Sequence, residues 1–317
     1  MTKKIVRNAI LLSCILTSGL CAVPSAFAGE TSNDEQTTAN LVQPNGPTVG
    51  PAVTSLSTPA ASAAPAKGVF SATINYSYSD KDTWYHNGST QSTKARTISN
   101  VAAVKFRYGL GNNWDVRTVT PFIWNNAKDA SGTRQGAGDS SVVFRNLFMN
   151  QKDGAPLNLS AGFGFVIPTG DTGSDGLGAG AFGLHGEVGA TYSFDNDRQV
   201  IEGGLIYIWV GEGGGQNRHG DQADNFRAHA RYAYALDDQW SLGLETVYNY
   251  YQETEINGTN QDNAKHIWFG GPAVTYKIPA WKVVLGASVQ ASLYQDINPN
   301  GGLGEQCCFE FKFMKVF

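Results

Sequence analysis

Phe309-Glu310-Phe311-Lys312-Phe313-Met314-Lys315-Val316-Phe317 closes the chain, and its reading decides the fold. Side chains of an extended strand point alternately to two faces. Phe309, Phe311, Phe313 and Phe317 therefore share one face, while Glu310 and Lys312 lie on the other. A helical period would scatter the four rings around an axis. Lys315 interrupts the aromatic face, but its long stem lets the ammonium reach water from an apolar surface. Such a strand needs an apolar medium on one side and a polar one on the other.

The same two-residue period recurs upstream. Phe70, Ala72, Ile74, Tyr76 and Tyr78 alternate with Ser71, Thr73, Asn75 and Ser77. Leu159, Ala161, Phe163, Phe165 and Ile167 alternate with mostly small or polar residues, as do Phe226, Ala228, Ala230, Tyr232 and Tyr234. Trp240, Leu242, Leu244, Tyr248 and Tyr250 form another such face. Residues 199–210 and 264–276 alternate poorly. Short breaks at 109–113, 150–156, 195–198, 237–239 and 277–280 alternate with long polar ones at 80–94, 126–137, 169–180, 211–223, 252–263 and 295–304. Short turns at one end and long loops at the other are the layout of a transmembrane barrel. The pattern predicts an all-β fold: an antiparallel up-and-down barrel of about twelve strands over residues 68–317. A soluble sandwich would need buried inner faces on two sheets rather than one continuous outer apolar band. Tyr108, Trp114, Trp124, Trp209, Trp240, Tyr250 and Trp281 sit near strand ends, where amphipathic rings form interfacial girdles.

Mean hydropathy is −0.25. That argues against membrane helices but not against a barrel, whose alternation averages to a soluble value. Lys3, Lys4 and Arg7, the apolar run Ala9–Leu16 and Ala26-Phe27-Ala28 read as a secretory signal over residues 1–28, cleaved after Ala28. Residues 29–67 lack aromatics and are rich in Ser, Thr, Ala, Pro, Asn and Gly, which predicts a disordered periplasmic linker. Residues 1–28 hold three of the 23 basic residues and none of the 27 acidic ones, so processing makes the chain more acidic. With no basic block, nucleic acid is not expected as a partner. Cys14 and Cys21 fall in the leader; Cys307 and Cys308 are adjacent in a strand and should point to opposite faces, which disfavours a disulfide between them.

The polar faces should line a lumen. They carry Lys105, Arg107, Arg117, Arg145, His185, Glu187, Glu202, Arg227, His229, Arg231, Glu245, Lys282, Glu310 and Lys312. Arg227, His229 and Arg231 share a face of one strand, a basic column able to attract carboxylates or phosphates. The same residues can instead form a structural network filling a narrow barrel. His185 and Glu187 suit a lumen hydrogen bond better than a metal site, which needs more converging ligands. No metal or other cofactor is expected. Pro168-Thr169-Gly170-Asp171 ends a strand, as an ordinary exit turn or as a constriction folded into the mouth. Residues 178–183 match G-x-G-x-x-G but lead into a strand, not the helix that a dinucleotide site requires.

Two resemblances follow from these residues. The terminal Phe317, with Phe309, Phe311 and Phe313 before it, resembles the signal by which outer-membrane barrels are recognised by their assembly machinery. Gly109-Leu110-Gly111-Asn112-Asn113-Trp114, Pro121-Phe122, Gly136-Ala137-Gly138-Asp139, Pro168-Thr169-Gly170-Asp171, residues 178–181 and Gly189-Ala190-Thr191-Tyr192 stand in an order that resembles the "MetA-pathway of phenol degradation" family of outer-membrane transporters. The likeness covers residues 95–317. It implies a bacterial outer-membrane barrel, among outer-membrane lipids, that passes small, often aromatic, molecules. It carries over no ligand residues.

The expected function is passive uptake or efflux of small, aromatic or anionic, solutes. One alternative is a structural or adhesive surface barrel with a closed lumen. Another is a lipid-modifying enzyme, which would expose a nucleophilic Ser and a His to lipid; the strand histidines His185 and His229 instead read as lumen-facing, and G-x-S-x-G is absent. No enzymatic activity is therefore expected.

Overall fold

The computed structural model describes residues 65–86, 89–127, 133–170, 177–213, 220–298 and 303–317. The expected signal segment lies outside the described residues, as does the expected linker up to residue 64. Twelve strands form the wall: β1 Phe70–His86, β2 Ser89–Gly111, β3 Trp114–Ala127, β4 in two pieces (Thr133–Ala137 and Ser140–Met149), β5 Asn158–Ile167, β6 Gly183–Phe194, β7 Gln199–Val210, β8 Asn225–Ala235, β9 Trp240–Tyr251, β10 Lys265–Ile278, β11 Val283–Ile297 and β12 Gly304–Val316. Each pairs antiparallel with the next, and β1 pairs with β12 to close the barrel. At the seam the register runs from Ser71 opposite Val316 to Tyr78 opposite Phe309. Phe317 N–H donates to the Phe70 carbonyl at 3.0 Å, and the two rings stack with centroids 4.5 Å apart. The pairing of β1 with β12 closes the ladder around the wall, as a wall in hydrocarbon requires.

One end carries tight turns. Asn112 and Asn113 both adopt positive φ between β2 and β3, the turn whose twist suits a two-residue hairpin. Asp237 closes the β8–β9 turn by accepting from the Trp240 and Gln239 amides at 2.6 and 2.8 Å. Those two donors, Trp240 first, hold its carboxyl below the usual carboxylate range. Lys282, expected in the lumen, instead takes the left-handed cap position after the Pro279–Trp281 turn. At the other end, residues 80–94 are not a loop as expected: β1 and β2 continue as a projecting hairpin, with His86 opposite Ser89. Two further small hairpins, Glu212–Gly213 with Gly220–Asp221 and Glu255–Ile256 with Thr259–Asn260, stand at this loop end.

The two faces are chemically opposite. Ile74, Phe106, Phe163, Leu244, Leu293 and Phe311 are exposed on the outside, Leu244 by 64%. So large an aliphatic surface is stable only against lipid. Ser71, Thr73, Asn75, Arg145, Glu187, Arg231, Glu310 and Lys312 point inward and are buried. The poorly alternating β7 and β10 have a plain cause: their inward face is apolar too, with Ile206, Ile267 and Phe269 buried in the lumen. Opposite Trp268 and Phe269, β11 holds one extra residue, a bulge that turns both Leu293 and Tyr294 outward.

Cys307 falls on the outer face of β12 and Cys308 on the inner face, and both are free thiols. In lipid, a charged, membrane-impermeant thiosulfonate should label the Cys307→Ala variant at Cys308 several-fold faster than the Cys308→Ala variant at Cys307. Equal rates would mean that the face assignment is wrong.

Candidate functional site in the barrel lumen

The barrel brings inward-facing residues of neighbouring strands side by side. Asp115 on β3 stands opposite Arg145 on β4, which stands opposite Gly162 on β5, which stands opposite Glu187 on β6. Asp115 is fully buried. It accepts from Arg107 Nη2 at 2.8 Å, Arg145 Nη2 at 2.8 Å and Arg145 Nε at 3.1 Å. Arg117 bridges onward, with Nε 3.8 Å from Asp115 and Nη2 paired to Glu187. Glu187 also meets His185 Nε2 at 3.1 Å. Gly162 makes room for this: a Cβ there would stand 2.8 Å from the Glu187 Cγ. Three guanidiniums around Asp115 and Glu187 form a network that fills this side of the lumen.

A second group lies on β7, β8 and β9, where Glu202, Arg231 and Glu245 are in register. Arg231 sits 3.5 Å from Glu202 and 3.3 Å from Glu245, and Gln290 donates to Glu245 at 3.4 Å. Arg227, His229 and Arg231 do share the lumen face of β8, but two carboxylates flank Arg231, so the column is not a bare cationic strip. Arg227 Nε donates to Asn249 Oδ1 at 2.6 Å. His229 differs from its neighbours: it is buried, and neither ring nitrogen makes a well-formed hydrogen bond. Its row holds Gly204, Val247 and Phe269, and the next row holds Ile206, Arg227, Asn249 and Ile267. Ile206, Val247, Ile267 and Phe269 are at most 7% exposed, giving an apolar wall inside the barrel around Arg227 and His229. Lys105 lies on the lumen face of β2, between Ala103 and Arg107.

The segment ending β5 packs onto the break in β4. Thr169 Oγ1 accepts from the Ser140 amide at 2.9 Å. The Asp139 carboxylate accepts from the Gly170 amide at 2.9 Å and the Ala179 amide at 2.7 Å. It thus ties together both ends of this loop beside Gly138, whose Cβ position faces Pro121 and Ile123 on the lumen side of β3. Pro168 is exposed, and Asp171 lies outside the described residues.

Sequence reasoning overlooked Asp115, although it occupies a lumen position two residues before Arg117. It also passed over Asp139 and the apolar wall, whose signal was the failed alternation of two strands. His266 escaped notice as well. It faces outward, bonded to Tyr248 Oη at 2.7 Å and stacked on Tyr250 at 4.5 Å, in an aromatic girdle rather than beside a serine.

The sequence matches the model of the family described as "Putative MetA-pathway of phenol degradation" over residues 88–302. The chain belongs to that family. No protein of curated function matches it significantly. Among solved structures, an outer membrane channel from Pseudomonas putida F1 superposes with a TM-score of 0.69 at 20% identity, over 80% of this chain and 97% of that one. The translocator domain of the autotransporter NalP from Neisseria meningitidis gives 0.47 at 12% identity, over 79% and 88%. The TodX monoaromatic hydrocarbon channel, as a deletion mutant, gives 0.42 at 11% identity, over 80% and 90%. The first likeness establishes the fold, and this phenol-degradation family member is an outer-membrane barrel. The family match leaves out β1 up to His86 and all of β12, so the closing seam rests on the structure itself.

Removing Asp115 leaves Arg107 and Arg145 facing each other without their shared carboxylate. Breaking a buried pair in this way costs about 3 kcal/mol or more. Asp115→Ala should lower the guanidinium unfolding midpoint of the refolded barrel accordingly, followed by tryptophan fluorescence. An unchanged midpoint would show that the network contributes little.

Proposed function

We propose that the barrel is a narrow, non-enzymatic channel for passive movement of small organic solutes across the outer membrane. The observation that carries this reading is the mixed wall on β7–β10. Ile206, Val247, Ile267 and Phe269 offer an apolar surface beside Arg227 and the buried His229. An apolar molecule with an anionic end finds both of its halves matched there. The charge networks on the remaining wall narrow the passage. The β5–β6 loop, tied at Asp139 on the lumen side, supplies the constriction at the loop end, with Thr169 and Gly170 at its base. Assembly through the Phe309–Phe317 strand and a surrounding of outer-membrane lipid belong to the same proposal.

Single-channel recording tests it. The refolded barrel should give stepwise currents that benzoate blocks. Arg227→Gln and His229→Ala should each weaken the block about fivefold or more, close to 1 kcal/mol. A folded barrel that never conducts would overturn the channel. Block unaffected by either change would overturn the site. Asp139→Ala frees two backbone amides and should raise the unitary conductance; an unchanged conductance would remove the loop from the pathway.

A further inference from the structure

The hydrogen-bonded ladder fixes which lumen residues share a level. From Arg227 on β8, successive pairs through Ile206, Glu187, Gly162, Arg145 and Asp115 lead to Gly109 on β2. The other way round, pairs through Asn249 and Ile267 reach Gln295, whose side chain accepts from the Glu305 amide at 2.9 Å. Glu305 stands opposite Lys81, and Lys81 opposite Thr97 on β2. Barrel strands tilt, so each row climbs or falls as it goes round, and the true level lies midway between the two arrivals. Midway between Thr97 and Gly109 stand Ala103 and Lys105. β2 and β8 are six strands apart in a ring of twelve, so Lys105 and Arg227 occupy opposite walls at one level. The charges agree with this placement. Lys105 lies in the field of Arg227, Arg117 and Lys312, with the Glu310 carboxylate also in reach. His185 lies in the field of both Arg117 and Arg227. Between the strands of Lys105 and Lys312 stands Asn75, opposite Lys312 on one side and Ala103 on the other. It is 6% exposed, and its Oδ1 accepts no hydrogen bond. Turning that amide presents Nδ2, a donor, in the same place.

We propose that Arg227 on one wall, and Lys105 with Lys312 on the other, are the two poles of a single site for a small dicarboxylate with an apolar body. The proposal deepens the channel reading; it rests on that reading for transport but not for binding. A monoanion answers Arg227 and the apolar wall beside it. A second carboxylate at the far end meets cations from β2 and β12 that otherwise repel one another, and Asn75 stands between them to donate to it. Ile206 and Ile267, in the row of Arg227, give the body of the ligand an apolar bed. Glu310, two residues from Lys312 on the same face, moderates the second pole, as a site that must release its ligand requires.

Equilibrium binding of radiolabelled terephthalate and benzoate to the chain refolded in lipid tests this without any current. Heat-modifiable migration on gels checks that each variant is folded. Terephthalate, with carboxylates at opposite ends of one ring, should bind about tenfold tighter than benzoate. Lys105→Gln and Lys312→Gln should each weaken terephthalate about fivefold and change benzoate less than about twofold, whereas Arg227→Gln should weaken both. Lys105→Arg keeps the charge and should keep the tight binding. Terephthalate no tighter than benzoate, an equal loss of both in Lys105→Gln, or a loss in Lys105→Arg as large as in Lys105→Gln would overturn the second pole. If a Gln variant does not fold, the two affinities of the unaltered chain still decide, because a single pole favours the dicarboxylate only about twofold through its two equivalent ends. A barrel that prefers terephthalate tenfold yet never conducts would end the channel reading and leave the site standing.

Discussion

In hydrocarbon, a backbone N–H or carbonyl without a partner costs several kcal/mol, and no water is there to supply one. The whole structure answers to that constraint. Twelve strands pair in chain order, and the last returns to the first, where Phe317 bonds to Phe70 and their rings stack. Because the ladder closes, every strand has one face toward lipid and one toward a confined interior. The period of two in the sequence is the one-dimensional trace of that geometry.

Confinement then governs the interior. Charged side chains that would be harmless on a surface are buried in the lumen and must find partners there. Asp115 gathers Arg107 and Arg145, Arg117 reaches Glu187, and Arg231 sits between Glu202 and Glu245. Glycines set into the same rows leave the room these contacts need, as Gly162 does beneath Glu187. Against this paired background the wall on β7–β10 stands apart. It is apolar where the two networks are charged, and neither His229 ring nitrogen there makes a well-formed hydrogen bond.

The loop end and the turn end are built differently because they do different mechanical work. At the turn end, left-handed Asn112, Asn113 and Lys282 reverse the chain in minimal length. At the loop end, the break in β4 at Gly138-Asp139 provides a carboxylate that secures a neighbouring loop. A regular strand would have no such group free to turn toward a loop.

The transmembrane barrel, the approximate strand number and the facing of the regularly alternating strands were legible in the residues, because face alternation is a local property of extended chain; Lys282, expected in the lumen, belongs to a turn, and the β11 bulge turns two successive side chains outward. The terminal Phe309–Phe317 strand, the adjacent Asn112-Asn113 turn and the opposite faces of Cys307 and Cys308 all follow from that alternation. Partners were not legible. Arg227, His229 and Arg231 share a face by spacing alone, but the carboxylates beside Arg231 come from strands β7 and β9, and their arrival depends on register. Asp115 and Asp139 likewise join segments whose nearness is set by barrel closure. The continuation of β1 and β2 through residues 80–94 was missed because polar residues at successive positions there hide the two-residue period. Alternation is written along the chain, whereas contact across the lumen exists only once the ladder has closed and its register has chosen which side chains meet.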